Sequence, residues 1–139
     1  MKPFESYFFQ AIRVFLGSYY LISGLNYTFR FYPQPTGTGI NAEFIDIITR
    51  NHIFTGVKAL DIVAGLCIIL NVFTPLMLIL LFPVTVTILV YDLYTPRLFG
   101  LWTGGQNALF HCLLFFYFFR YYAPLFEPKP KHGSLKDVR

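Results

Sequence analysis

The sequence predicts an all-α protein, a membrane-spanning four-helix bundle with both termini on the inner side. Three observations lead there. The 139 residues are 55% hydrophobic and only 13% charged, about half the charge of a soluble domain. Phe and Tyr together supply 27 residues, a load that suits lipid contact and interfacial anchoring. The apolar residues gather into four runs, each near the roughly 20 residues that a helix needs to cross about 30 Å of hydrocarbon. Four such runs and their connections use up the length, so 1–139 is read as a single transmembrane domain.

The first span is expected at 8–29, "FFQAIRVFLGSYYLISGLNYTF". It follows Glu5, contains Arg13 and runs on past its small residues without a cleavage site. It therefore reads as a permanent span and not a signal peptide. The connection after it, "RFYPQPTGTGINAEFIDIITRN", opens with Pro and Gly punctuation typical of loop. Within "NAEFIDIIT", Phe44, Ile47 and Ile48 fall at helical spacing on one face. Two readings stand there: a short helix on the membrane surface, or a loop packed over the mouth of the bundle.

The second span is expected at 53–72 and the third at 75–93, joined by "NVFTP". So short a link forces a helical hairpin, and Pro75 suits the first turn of the third helix, where no N–H is needed. Pro83 in mid-span removes one backbone bond and kinks the helix, as a packing adjustment or as a hinge. A short connection, "YTPRLFGLWTGG", places Trp102 at an interface and leads to the fourth span at 104–122. A basic tail, 127–139, closes the chain.

Direction follows from charge. Lys2, Arg13, Arg120, Lys129, Lys131, Lys136 and Arg139 fall on the side of the termini, against Arg30, Arg50 and Arg97 on the other. Cytoplasmic flanks carry the excess of Lys and Arg, which gives N-in and C-in. The net charge of +4 flanks a membrane segment instead of covering a folded face, so it reads as orientation signal and anionic-lipid contact, not as a nucleic-acid site.

Direction turns position into depth at 1.5 Å per residue. Lys58 then lies roughly 8 Å below the outer boundary, Asp61 roughly 12 Å and His111 roughly 10 Å. Ser23 and Asn26 sit near the outer end of span one, Tyr91 and Asp92 at the end of span three, and Gln106 and Asn107 at the start of span four. Arg13 is shallow enough at the inner side to snorkel to the interface. Polar residues of all four spans thus share the outer half. Charges in hydrocarbon are costly and face the bundle interior or a wet cavity. Lys58 and Asp61 are i, i+3 neighbours able to pair; Asn107 and His111 are i, i+4. Asn26, Lys58, Asp61, Asp92, Asn107 and His111 are therefore the candidate ligand-binding residues of an outward-facing polar pocket. The alternative is a closed hydrogen-bond network that only joins helices.

Gly17 and Gly24, seven apart, and Gly65 read as close helix contacts. Cys67 and Cys112 read as small apolar side chains, since their depths differ by roughly 9 Å and a disulfide needs Cα atoms within about 7 Å. No metal-ligand spacing, phosphate loop or nucleophile motif is present.

Three segments resemble the DoxX-like family of small four-helix membrane proteins: "RVFLGSYYLISGLNYTF", "GVKALDIVAGLCIILNVFTPL" and "PVTVTILVYDL". They look like its first three helices, with Asp61 where members more often carry Glu. The resemblance spans roughly 10–123. It implies an auxiliary subunit or partner of a membrane redox system, near quinone or sulfur chemistry, in a bacterial inner membrane, with a redox protein as partner and quinone as the cofactor to look for. Two other readings compete: a protein binding or moving a small amphiphile or lipid, and an assembly factor without ligand. An enzyme acting alone ranks below all three, because no nucleophile with an oriented base and no metal cluster is legible.

Overall fold

In a computed structural model, residues 3–33, 39–94 and 98–126 are described. All regular structure among them is helical: α1 Pro3–Phe29, α2 Ile40–Arg50, α3 Ile53–Leu70, α4 Thr74–Tyr94, α5 Leu98–Tyr117 and α6 Phe119–Tyr122, then a 3-10 turn Ala123–Phe126. The expected basic tail lies outside the described residues. Three helices, over Ser6–Phe29, Ile53–Leu70 and Thr74–Tyr94, are long and apolar enough to cross a membrane. The chain is an integral membrane protein, and these helices meet the bilayer.

The surface is apolar and the interior partly polar. Phe15, Ile22, Val63, Leu66, Phe82, Val86 and Phe116 are exposed, whereas Asn26, Asp61, Asn107 and His111 are buried. Water would reject that arrangement, but a bilayer requires it, because lipid offers polar groups no hydrogen bonds. The core lies between α1, α3, α4 and α5, around Leu16, Tyr20, Ala64, Ile68, Leu78, Leu81 and Leu114. Helix α1 packs on α3, α3 on α4, α4 on α5, and α5 returns to α1.

The α1–α3 contact is the closest. A Cβ added at Gly65 would stand 2.6 Å from the Gly17 carbonyl oxygen and 2.6 Å from the Leu21 nitrogen. One added at Gly24 would stand 2.7 Å from the Lys58 carbonyl oxygen. Backbone meets backbone here, as small residues permit between membrane helices.

The α3–α4 turn matches expectation and shows how it is built. Asn71 takes the left-handed conformation, φ 58°, which Asn tolerates better than most residues. The Val72 N–H then reaches back to the Cys67 carbonyl at 2.9 Å, a Schellman closure of α3. Pro75 follows in the first turn of α4.

Helix α1 begins at Pro3, five residues before the expected start, and both ends of the fourth span also differ from expectation. Helix α5 begins at Leu98, six residues before the expected start, so most of "YTPRLFGLWTGG" is helix and not connection. Gly104 and Gly105 resembled loop punctuation, yet Gly104 is packed tightly against the Asp92 side chain. The helix also breaks at Phe118 instead of running to Tyr122. The break brings the Tyr122 ring onto Phe115, 4.3 Å between centroids, and its hydroxyl donates to the Pro75 carbonyl at 3.0 Å. Seven residues of continuous helix would separate those rings by about 10 Å of rise. The segment "NAEFIDIIT" is helical, lies in α2, and buries none of its residues.

Gly65→Ala should lower stability by about 1–3 kcal/mol, since backbone at both helices must move to admit the methyl. Gly56→Ala, with nothing within 4 Å, should be neutral or stabilising by up to about 1 kcal/mol. Thermal unfolding of both variants in one detergent checks the contrast. Equal losses would contradict the α1–α3 contact.

Candidate functional site

The six expected residues do not form one cluster. They divide into two networks and two flanking positions, according to which helices bring them together.

The first network lies on the α1–α3 seam. One turn separates Lys58 from Asp61 on α3, and both face α1 across the glycine contact. The Lys58 ammonium donates to Asp61 Oδ2 at 2.9 Å and to Ser23 Oγ at 2.8 Å. It also stands 5.2 Å from the Phe54 ring centroid, within cation–π range. The carboxylate of Asp61 is fully buried, and its second oxygen, Oδ1, has no hydrogen-bond partner among the described residues. One turn along α1 from Ser23, the Asn26 side chain is buried too. Its Oδ1 accepts the Tyr32 N–H at 2.9 Å, securing the chain as it leaves α1, while its Nδ2 has no partner among the described residues.

The second network crosses three helices. Asn107 of α5 donates to the Tyr20 hydroxyl of α1 at 3.2 Å. That hydroxyl lies 2.5 Å from Thr85 Oγ1 of α4. Thr85 Oγ1 is 2.7 Å from His111 Nδ1 and 3.0 Å from the Leu81 carbonyl oxygen of its own helix, two acceptors for its single proton. His111 Nε2 lies 3.0 Å from the Leu78 carbonyl oxygen. A carbonyl only accepts, so Nε2 carries the proton. A neutral ring then leaves Nδ1 as acceptor, and the chain runs in one sense: Asn107 to Tyr20, Tyr20 to Thr85, Thr85 to His111, His111 to Leu78. Every link of it has a partner.

Asp92 stands apart, half-buried on α4 with its carboxyl against Gly104 of α5. Tyr19 lies within electrostatic reach of both Asp92 and Asp61, and Tyr20 within reach of Asp61. Tyr20 thus belongs to the second network and lies near the first, with Tyr19 beside it.

Residue reasoning missed Tyr20 and Thr85 as site members. A signal for each existed. Leu78, Thr85 and Asp92 recur every seven residues on α4, and Ile12, Leu16 and Tyr20 every four on α1, so the buried faces were readable. A Tyr buried on such a face requires a hydroxyl partner. Cys67 is half-buried, Cys112 exposed, and both are free. No three His, Cys, Asp or Glu side chains gather as a metal would need among the described residues.

The family model DoxX matches residues 8–92, α1 to α4, and so covers the seam and most of the second network. This chain belongs to the DoxX family. No curated protein and no solved structure matches it. In this DoxX protein the matched region supplies Asn26, Lys58, Asp61, Thr85 and Asp92, while Asn107 and His111 come from α5, beyond the match.

Removing one member of a buried ion pair strands the other, at about 3–5 kcal/mol, whereas replacing both by apolar groups costs far less. Lys58→Met alone should therefore destabilise more than Lys58→Met with Asp61→Leu. Thr85→Val, which leaves Tyr20 and His111 facing an apolar group, should cost about 1–2 kcal/mol, the upper part of the range for interhelical hydrogen bonds in membranes. Thr85→Ser should restore it. Unfolding in detergent orders the four proteins. A Lys58→Met variant as stable as the double variant would contradict the pairing.

Proposed function

We propose that this DoxX protein is a four-span auxiliary subunit of a membrane redox system, one domain over 1–139, that holds a quinone-type head group on the α1–α3 seam. The observation that carries this reading is the pair of unsatisfied buried groups, Asp61 Oδ1 and Asn26 Nδ2. One is an acceptor and one a donor, and a buried polar atom without a partner costs about 1–3 kcal/mol. The antiparallel register is set by Gly24 over Lys58 and Ile62, and by Gly17 over Gly65 and Ile69. It places Asn26 and Asp61 about one helical turn apart in level, roughly 5 Å along the axis. A single water would serve one of them. A ring with an oxygen at each end serves both: a quinol hydroxyl donates to Asp61, and its other oxygen accepts from Asn26. Lys58 would sit between them with an ammonium able to donate to the oxidised carbonyl.

The fourth span in this reading is α5. Its packing against α4 and α1 and its exposed Leu109 and Phe116 support that role. The excess of Lys and Arg beside the termini supports the N-in, C-in orientation, with the seam's polar residues in the outer half. Family membership supports a bacterial inner membrane as the location and a redox protein as the partner.

A second reading has an observation of its own. The Asn107–Tyr20–Thr85–His111 chain is complete, which favours a structural role for that half of the candidate site. Asn107 and His111 then hold α5 to α1 and α4 and contact no ligand.

Mass spectrometry of the purified protein, with the small molecules extracted from it, tests the proposal. A quinone should co-purify with the wild-type chain and be lost from Asn26→Leu and from Lys58→Met with Asp61→Leu, the pair replacement that strands no buried charge. A short-tailed quinone analogue added at a hundred times its dissociation constant should stabilise the wild type by about 2.7 kcal/mol and leave the two variants unmoved. Co-purified lipid in place of quinone would transfer the site to the amphiphile reading. Full function in Lys58→Met with Asp61→Leu would leave only the assembly role.

A further inference from the structure

A polar concavity lies at the other end of the bundle, roughly 20 Å along α1 from Asn26, and does not depend on the reading of the seam. It encloses about 140 Å³ and is lined by Ser6, Phe9, Gln10, Arg13, Asn71, Leu114, Tyr117 and Phe118. Ser6, Phe9, Gln10 and Arg13 recur at helical spacing on one face of α1. Asn71 comes from the α3–α4 turn, and the remaining three from the end of α5. Phe9 stacks on Tyr117 at 4.1 Å and forms one wall. Buried Leu114 is the floor, and exposed Gln10 and Asn71 form the rim.

Arg13 is half-buried, and its Nη1 is sealed from solvent with no partner among the described residues. A snorkelling arginine would carry both terminal nitrogens to the interface; this one keeps a nitrogen inside. The carboxyl ends of α3 and α5 close the same region and attract a cation, which accounts for the guanidinium's position. They do not supply the acceptor that Nη1 lacks. The void is too small for an acyl chain and large enough for a tetrahedral oxyanion with its first water. Gln10, Asn71 and Ser6 add side-chain donors at rim and wall.

We propose that this cavity binds a phosphate oxyanion, held by the Arg13 guanidinium through the forked geometry that suits it. The chemistry is shared by two sources, the phosphodiester of an anionic phospholipid and free inorganic phosphate. The lipid is the source to expect, because the cavity opens where helix ends meet the interface. The sequence flanking these helix ends also carries Lys2, Arg120, Lys129, Lys131, Lys136 and Arg139, a charge density that concentrates anionic lipid.

Native mass spectrometry of the full chain released from micelles, titrated with phosphatidylglycerol and separately with inorganic phosphate, tests this. The wild type should retain one phosphatidylglycerol at least about tenfold more tightly than Arg13→Gln, with phosphatidylcholine second to it. Ser6→Phe, which fills the cavity and leaves Arg13 in place, should lose the same lipid and covers the case in which Arg13→Gln does not fold. Binding of inorganic phosphate that depends on Arg13, without lipid retention, would keep the site and change its source. Equal lipid retention by wild type and Ser6→Phe would overturn the proposal, as would no Arg13-dependent binding of either probe.

Discussion

Hydrocarbon gives a polar group nothing to bond to, and the arrangement of this chain follows from that constraint. Backbone groups meet it by forming helices. Side chains meet it by facing one another. Lys58, Asp61, Asn107 and His111 are admissible in apolar helices only because each points at a partner across or along a helix. The close contact of Gly17, Gly24 and Gly65 serves the same end. It brings α1 near enough to α3 for Ser23 to reach the Lys58 ammonium at 2.8 Å. A larger residue at Gly24 would hold the helices apart and leave a cation in an apolar seam with one partner fewer. Packing and polar pairing are therefore one problem here, solved at the same turns.

How much of this could be read from sequence depended on whether the controlling interaction was local. The Lys58–Asp61 pair was legible because i, i+3 residues on a helix are neighbours wherever the helix goes. The hairpin at "NVFTP" was legible because its brevity leaves no other path. The expectation that polar residues gather toward one end needs only direction and rise. The division of those residues into two networks was not legible. It depends on Tyr20 of α1 meeting Thr85 of α4, separated by 65 residues in the chain, and no periodicity announces that pair. Thr in a helix commonly bonds its own i−4 carbonyl, as Thr85 also does with Leu81, and ten tyrosines make any one of them inconspicuous. The early start of α5 was hidden by Gly104 and Gly105. Glycine reads as a breaker until the partner that needs its missing side chain, here Asp92, is known.

The two networks differ in a way that bears on function. No buried side-chain N or O atom of the chain from Asn107 to Leu78 is without a partner among the described residues. A ligand inserted there would have to break a hydrogen bond for each one it made, and little net affinity would remain. On the seam, Asp61 has a free oxygen and Asn26 a free amide nitrogen among the described residues. A ligand there would satisfy groups that are already desolvated, so each bond counts nearly in full. Completeness argues for structure and incompleteness for a site, although both sets consist of the same residue types at similar depth.

Incompleteness recurs in the same form at Arg13. The buried polar atoms without partners are Asp61 Oδ1, Asn26 Nδ2 and Arg13 Nη1 among the described residues. Asn26 Nδ2 and Arg13 Nη1 stand toward opposite ends of α1, where interfacial water can serve a polar atom until a ligand displaces it. Asp61 lies at the midpoint of α3, about one turn from the level of Tyr20. Water serves it less readily there, so its free oxygen places the stronger demand on a partner. The Tyr20 chain beside it is already paired. That chain holds α1, α4 and α5 together whatever occupies the seam or the Arg13 cavity, so affinity at either can be tuned without unlocking the helices.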